Sequence, residues 1–473
     1  IPKQHYHERM LQMKADLLIE GGKVWIRDAL YEVSIAVEDG RIAAIGAPSS
    51  MPRAERVYDA SGKMVLPGVV DSHVHSREPG MTDREDFLTI TRAAAAGGVT
   101  TIFDMPNTIP PTSTVSAFRE KRALAESKAI VDFALFAGAG TDNIDQLPAL
   151  AEAGAIGFKL FLTMLAPDRV QEMWGMFVKN DGSFLDVLSQ VKKTGLALAV
   201  HSENGSMIDH LTAKLKAEGR QDWDAFEESR PSISEIEAVN KVILLGQYTG
   251  ARVHICHVGS YESAEIIREA KLKGVKVTAE LTPLYLLLSK DDVPRLGPYG
   301  LIFPPLRSRS NMEALYGYYN DGVIDIMNSD HAPYSRSELD VGWTDMWKTP
   351  PDGSAIEVML SLMLNEAYAG RTTLERVINS LTELPARIFG VYPQKGTIMV
   401  GSDADIVVVD REREWTIVGK QLHTKQQVTQ FEGVTVHGMP VATFVRGQQV
   451  MDGREIIAQP GIGRFVPGAA FSA

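Results

Sequence analysis

The sequence predicts an α/β fold in which a (β/α)8 barrel of the TIM type is joined to a small β-sandwich. Two observations lead to this prediction. Between about residues 64 and 390, short β-rich runs alternate with longer helical patterns, which is typical of repeated βα units around a parallel sheet. The flanks 16–58 and 403–452 instead contain short alternating runs separated by turn signals, so both chain ends are expected to form the sandwich together.

Eight strands are predicted along the barrel, and eight βα units close most naturally into one barrel. Stretches between them, such as 85–96 and 263–272, carry apolar residues at helical spacing. The chain is therefore divided into 1–63, the first part of the sandwich, 64–392, the barrel, and 393–473, the rest of the sandwich with a tail. The predicted strands are 64–71, 99–104, 131–137, 155–161, 196–201, 252–257, 275–281 and 323–328.

Composition and charge indicate which kinds of binding partner the protein can have. The 473-residue chain is 44% hydrophobic with a formal net charge of −12 and has no cluster of Lys and Arg, so nucleic acid is not expected as a partner. No apolar run reaches the roughly 18 residues that span a bilayer, and the polar start is not typical of a signal peptide. A single cysteine, Cys256, excludes an intramolecular disulfide and fits a cytoplasmic location. A small-molecule ligand is expected.

Two histidines one residue apart, His73 and His75, stand where an apolar run meets a polar loop. In an extended strand, side chains at i and i+2 point to the same face, so both imidazoles can bind one metal ion. Active sites of such barrels lie at the C-terminal ends of the strands, where we therefore look for further polar residues. Other predicted strand ends carry Lys159, His201, His257 and Asp330. The sequence therefore predicts a metal site at the mouth of the barrel.

The sixth predicted strand shows how side chains are assigned to faces. Because successive side chains alternate, Val253, Ile255 and His257 are placed on the inner face of the barrel. His254 and Cys256 are then expected to face the outer helices, with Cys256 a small buried core residue.

Lys159 is unusual in this setting, because an ammonium group would be repelled by divalent metal ions. If CO2 adds to the amine, the resulting carbamate is an anionic oxygen ligand that can bridge two ions. The alternative is a lysine that points to solvent. The surrounding histidines favour the carbamate.

Five motifs occur in order along the chain. They are His73-Val74-His75, Gly157-Phe158-Lys159, Val200-His201-Ser202-Glu203-Asn204, Ile255-Cys256-His257-Val258-Gly259-Ser260 and Ser329-Asp330-His331-Ala332-Pro333. Together they resemble the metal motifs of the cyclic amidohydrolases, the group of dihydroorotases, allantoinases and hydantoinases, and the similarity extends over about residues 14 to 465. The resemblance implies a distorted barrel with a β-sandwich, two divalent metal ions, most simply Zn²⁺, a carboxylated lysine, and a homotetramer or homodimer.

Residue roles follow from the resemblance by position. Two cations would lower the pKa of a water between them and polarise the scissile carbonyl of a cyclic amide. Asp330 would accept the proton of that water and deliver it to the leaving nitrogen. The implied ligands are His73, His75 and Asp330 for the more buried ion, His201 and His257 for the more exposed ion, and Lys159 for both.

Arg77 and Asn107 bear on which ring is opened. In dihydroorotases the matching arginine and asparagine hold the carboxylate of the substrate, which a planar guanidinium can do with two parallel hydrogen bonds. These residues therefore favour an anionic cyclic substrate. The alternative is that Arg77 is bonded to Glu78 or to loop carbonyls.

Other positions depart from the dihydroorotase pattern. Leu284-Tyr285 and Phe303 replace expected polar residues, and Tyr334 replaces a histidine. Phe303 and Tyr334 are still predicted to contact the substrate, and Phe303, Met164 and Leu284 indicate an apolar wall. The segment 342–348 looks more like allantoinases and L-hydantoinases. An allantoinase or a hydantoinase/dihydropyrimidinase thus remains the alternative to a dihydroorotase-like enzyme.

Two further classes of protein could carry polar residues at the mouth of such a barrel. A scaffold homologue without catalysis typically lacks several metal ligands, whereas all six are present here. A mononuclear deaminase on a related barrel has no need of Lys159. The sequence therefore favours a binuclear hydrolase of carbon–nitrogen bonds in cyclic amides.

Overall fold

The computed structural model describes residues 14–163 and 170–469. Its strands, in chain order, are β1 (Lys14–Glu20), β2 (Lys23–Ile26), β3 (Ala29–Glu32), β4 (Ser34–Glu38), β5 (Arg41–Gly46), β6 (Arg53–Asp59), β7 (Met64–Pro67), β8 (Val69–Val74), β9 (Val99–Asp104), β10 (Asp132–Leu135), β11 (Ala137–Gly138), β12 (Phe158–Phe161), β13 (Ala197–His201), β14 (Arg252–Ile255), β15 (Val277–Leu281), β16 (Ile326–Met327), β17 (Ile406–Thr416), β18 (Thr435–Val445), β19 (Gln448–Asp452) and β20 (Glu455–Ile456).

Helices follow the barrel strands, and polar side chains cap many of them. Asp86 and Asn204, for example, each accept a hydrogen bond from a backbone N–H in the first turn of the helix that they precede. No helix within the described residues is long and apolar enough to cross a membrane. The α-helices are Phe87–Ala96, Val115–Lys128, Leu147–Glu152, Asp181–Thr194, Gly205–Ala217, Trp223–Ser229, Ser232–Thr249, Tyr261–Leu272, Pro283–Leu287, Val293–Leu296, Arg309–Asn320, Arg336–Asp340, Met359–Tyr368, Leu374–Leu381 and Glu383–Ile388.

The parallel strands β8 to β16 form the barrel. One sheet has the order β10-β9-β8 and the next the order β11-β12-β13-β14-β15-β16. The short strands β10 and β11 act as two halves of one barrel strand, since β10 pairs with β9 and β11 pairs with β12. A parallel bridge between Val74 and His331 connects the end of β8 to the segment after β16. The predicted eight-stranded barrel is confirmed.

The first predicted strand, 64–71, is in fact two strands divided at Gly68. Met64–Pro67 pairs with β17 and β2 in the sandwich, whereas Val69–Val74 pairs with β9 in the barrel. A Cβ atom at Gly68 would lie 2.1 Å from Oγ1 of Thr100, so a side chain would not fit where the chain passes from one sheet to the other. The apolar run continues across this point because both strands are buried, which hides the boundary in the sequence.

Both chain ends build the sandwich, as predicted. One sheet has the order β5-β4-β1-β6, and the other has the order β20-β19-β18-β17-β7-β2-β3. Apolar side chains from the two ends, among them Leu17, Ile35, Ile406 and Phe444, are at most 2% exposed and pack in one cluster. The sandwich core is therefore shared between residues far apart in the chain.

A buried lysine joins the barrel to the sandwich. Nζ of Lys395 lies 2.5 Å from a carboxylate oxygen of Asp132 in β10, 3.0 Å from Asp403 and 2.7 Å from Asp405. Arg446 in the turn after β18 also pairs with Asp132. All three aspartates are at most 5% exposed. The ammonium group of Lys395 therefore offsets the negative charge of carboxylates that would otherwise be costly to bury.

Candidate active site

The polar strand ends converge on one cavity at the C-terminal mouth of the barrel. Apolar side chains such as Phe161, Leu284 and Ile302 complete its wall, while Met164 lies outside the described residues. Its lining includes all the site residues predicted from the sequence, which are His73, His75, Arg77, Asn107, Lys159, His201, His257, Phe303, Asp330 and Tyr334.

Three ligand atoms form the first candidate metal site. Nε2 of His73 lies 3.2 Å from Oδ1 of Asp330, and Nε2 of His75 lies 3.6 Å from the same oxygen. Ligand atoms about 2.1 Å from a tetrahedral ion lie about 3.4 Å from one another. The spacing of these imidazole and carboxylate atoms therefore suits one divalent cation.

His201 and His257 form a second candidate site. Nδ1 of His201 lies 3.1 Å from Nε2 of His257, and the His257 ring centroid lies 5.6 Å from that of His73. The second nitrogen of His201 donates to Glu203 at 2.7 Å, which fixes the tautomer and leaves Nδ1 free to bind an ion. The two candidate sites are thus adjacent.

The protonation state of two predicted ligands, His75 and His257, suits metal binding. Burial holds the pKa of His75 and of His257 well below the usual value of a histidine. Both imidazoles are therefore neutral at neutral pH, and a neutral imidazole is the form that binds a metal ion.

Three site residues adopt the left-handed backbone conformation that is unusual for residues other than glycine. The φ angles are 61° at Arg77, 32° at His257 and 43° at Asp330. Such residues cost energy and are concentrated at functional sites. In each case the bend follows a barrel strand and turns a polar side chain towards the cavity.

The predicted orientation of His254 and Cys256 is wrong. Both face the barrel interior, where His254 bonds Glu280 and Cys256 lies 3.0 Å from Nζ of Lys159. Val253 instead packs against the helix Ser232–Thr249. Counted from His254, alternation keeps Cys256 on the inner face and would place His257 on the outer face. The bend at His257, after the end of β14, turns that side chain to the mouth instead.

Lys159 is fully buried among the predicted ligands. Its amine lies 3.0 Å from the Cys256 sulfur and 4.9 Å from the centroid of the Phe161 ring. No carboxylate in residues 14–163 or 170–469 forms an ion pair with it. A buried ammonium without a counter-ion is costly, so the setting suits an amine that has been converted to an anionic group.

Glu280 in β15 was not predicted from the sequence, yet it supports the predicted ligands. One of its oxygens accepts from Nδ1 of His73 at 2.5 Å and from the backbone N–H of His257 at 3.2 Å, and the other accepts from Nε2 of His254 at 2.9 Å. Although burial opposes the shift, His73 holds the pKa of Glu280 well below its usual value. An acidic residue inside an apolar strand was the available signal.

Arg77 is buried beside Tyr334. Its Nε donates to the carbonyl of Pro333 at 3.0 Å, and its Cζ lies 4.6 Å from the centroid of the Tyr334 ring. Its Nη1 is buried without a hydrogen-bond partner in the described parts of the chain, as is Oδ1 of Asn107. The loop carbonyl anticipated as an alternative thus engages one nitrogen and leaves another available to a ligand.

Phe303 lines the cavity, but its ring is partly covered. The Cζ atom of Arg230 lies 3.4 Å from the ring centroid, and Phe226 stacks on the same ring with centroids 5.7 Å apart. Arg230 itself lines the cavity and was not predicted from the sequence. No periodic pattern distinguishes it, because it lies in a helical insertion after β13.

The sequence profile of the amidohydrolase family matches residues 64–450, which includes the whole barrel. The chain belongs to the amidohydrolase family. Within this family, it is 37% identical over 454 residues to an L-hydantoinase of Paenarthrobacter aurescens, with 95% of this chain and 98% of that protein covered. It is 35% identical over 462 residues to a dihydroorotase of Methanosarcina acetivorans (96% of each covered).

A third relative is an allantoinase of Solibacter usitatus, 33% identical over 449 residues, with 94% of this chain and 96% of that protein covered. The solved structure of an L-hydantoinase (dihydropyrimidinase) from Arthrobacter aurescens superposes with a TM-score of 0.92 at 36% identity and covers 96% of this chain and 100% of that chain. The predicted resemblance of this amidohydrolase to the cyclic amidohydrolases is confirmed.

Proposed function

We propose that the chain, a cyclic amide hydrolase of the amidohydrolase superfamily, opens a ring C–N bond of a cyclic ureide with two zinc ions and a carbamate on Lys159. The observation that supports this most directly is the pairing of the ligand atoms. The set of His73, His75 and Asp330 lies next to the pair of His201 and His257, each with spacings that suit one ion.

The residues present fit such a centre. Bound divalent ions supply an activated water and polarise the carbonyl of the amide. Asp330 accepts the proton of the attacking water and transfers it to the leaving ring nitrogen, so that one C–N bond is broken and a carboxylate and a free amide nitrogen are formed. Glu280 and Glu203 hold the imidazoles of His73 and His201 in the required orientation.

For the substrate, we propose a dihydroorotase-like ring that carries a carboxylate against Arg77 and Asn107. The unpartnered Nη1 of Arg77 supports this, because a buried guanidinium nitrogen needs an acceptor. Hydantoinase, dihydropyrimidinase or allantoinase activity is the second candidate. The apolar lining at Leu284 and Ile302 favours it, as does the similarity to an L-hydantoinase.

A substrate panel separates these candidates. The zinc-loaded enzyme is assayed on dihydroorotate, allantoin, dihydrouracil and 5-substituted hydantoins, and the substrates are ranked by kcat/KM. Arg77→Gln should weaken carboxylate-bearing rings selectively. Arg84→Gln is a matched control, because Arg84 stacks on the same tyrosine but does not line the cavity. Equal losses on all rings in Arg77→Gln would contradict the placement of the carboxylate.

We also propose that the enzyme is a cytoplasmic homotetramer or homodimer. The single cysteine supports a reducing compartment, and the family resemblance implies the assembly. Light scattering coupled to size-exclusion chromatography measures the assembly, and a monomeric mass would contradict it.

A further inference from the structure

Arg230 places a second guanidinium at the mouth of the barrel. It follows the helix Trp223–Ser229 in the connection after β13 and lines the cavity. Arg77 enters the same cavity from the loop after β8. Because β8 is the first and β13 the fifth of eight barrel strands, the two guanidiniums come from opposite sides of the mouth.

Two contacts hold the guanidinium of Arg230 in place. Its Nη1 donates to Oε2 of Glu203 at 2.7 Å, and its plane packs on the ring of Phe303 with Cζ 3.4 Å from the centroid. The other N–H groups of its guanidinium make no hydrogen bond to the residues that the structure describes. A guanidinium fixed in this way loses little freedom when a ligand binds to the groups left over.

The guanidinium of Arg230 shares its paired carboxylate with a histidine. Its ion-pair partner within the described residues is Glu203, whose same oxygen also accepts a hydrogen bond from Nε2 of His201 at 2.7 Å. Asp209 is exposed to solvent, which screens it.

We infer that Arg230 is a specificity-determining residue that binds a carboxylate on the side chain of the cyclic ureide. The enzyme then prefers rings with a short acidic side chain to rings whose side chain has the same size but no charge. This inference rests on the proposed function. The role proposed for Arg230 differs from that of Arg77, which is proposed to bind a carboxylate attached directly to the ring.

The test compares hydantoin-5-propionate with hydantoin-5-propionamide, which has the same shape and no charge. The native enzyme should favour the acid at least about tenfold in kcat/KM, since a hydrogen bond to a charged group is stronger than one to an amide. Arg230→Gln should reduce this ratio to about one, mainly through the KM of the acid. Arg230→Lys should restore part of the preference.

A purely supporting role of Arg230 predicts a different result. If Arg230 acts only by holding Glu203 and therefore His201, its loss lowers kcat/KM for acid and amide alike and leaves the ratio unchanged, which would overturn the inference. Arg307→Gln is the matched control, because it removes another buried guanidinium of this region that does not line the cavity. Its ratio should remain that of the native enzyme.

A binding measurement separates failure of this inference from failure of the proposed function. If the zinc-loaded enzyme opens neither these two rings nor any ring of the substrate panel, the proposed function is wrong. Calorimetry with the ring-opened compounds N-carbamoylglutamate and N-carbamoylglutamine still tests Arg230. About tenfold tighter binding of the glutamate compound, lost in Arg230→Gln, supports the inference, and equal binding of both compounds to the native enzyme refutes it.

Discussion

Replacing Glu280 by glutamine tests whether a buried carboxylate controls the metal affinity of the site. Glu280 accepts hydrogen bonds from His73, His254 and the backbone N–H of His257, so it touches two predicted ligands at once. Glutamine has nearly the same shape but only one accepting oxygen. If that oxygen keeps the bonds to His73 and His257, the new NH2 group faces Nε2 of His254, and the negative charge is lost.

The expected magnitude follows from these contacts. Loss of a partner behind a ligating histidine lowers metal affinity by about 10–100-fold. This corresponds to about 1.4–2.8 kcal/mol, which is similar to the contribution of one hydrogen bond to a charged group. Glu280→Ala, which removes all three bonds, should cost more than Glu280→Gln.

Chelator competition measures the effect directly. Zinc affinity, zinc content after dialysis and kcat are compared in the native enzyme, Glu280→Gln and Glu235→Gln. The last variant is the control, since Glu235 is also buried but accepts from the backbone of Gly259 and Ser260 and bonds no predicted ligand. If Glu280→Gln binds zinc as tightly as this control, the carboxylate does not support the ligands.

Three further predictions concern other charged groups. Lys159→Ala should lose metal and activity together and regain part of both with short carboxylic acids; full activity without them would exclude a bridging carbamate. Asp330→Asn should retain most of the metal but lower kcat strongly, whereas a change confined to KM would argue against proton transfer by this residue. Lys395→Met should lower the free energy of unfolding in urea by about 3–5 kcal/mol, because three buried aspartates lose their shared ammonium. An unchanged unfolding midpoint would show that this charge cluster does not stabilise the junction.

The barrel was predictable because its strands are short apolar runs that alternate with amphipathic helices. The predicted strand 99–104 coincides with β9, and 196–201 differs from β13 by one residue. The strand 64–71 was harder, since Gly68 separates two buried strands that share one apolar run. Periodicity detects burial, but it does not show which sheet a buried strand joins.

Most of the cavity residues predicted from the sequence, such as His201, His257 and Asp330, lie at the end of a strand or just after it, and these strand ends meet at one mouth. Glu280 and Arg230 do not follow this pattern. Glu280 acts from inside β15 through the imidazoles of its neighbours, and Arg230 reaches the cavity from a helical insertion. The face of Cys256 was mispredicted because the alternation was counted back from His257, which lies after the end of β14 and has a bent backbone. The roles of Glu280 and Arg230 depend on tertiary contacts, which a local sequence pattern does not predict.

The sharing of one sheet by both chain ends has a consequence for synthesis on the ribosome. β7 lies between β2 and β17, so its second edge has no partner until Ile406–Thr416 has left the exit tunnel. During that interval an apolar edge strand is open to pairing with other nascent chains. The barrel thus emerges before its neighbouring sheet can be completed, and the last translated strands decide when the first ones become protected from aggregation.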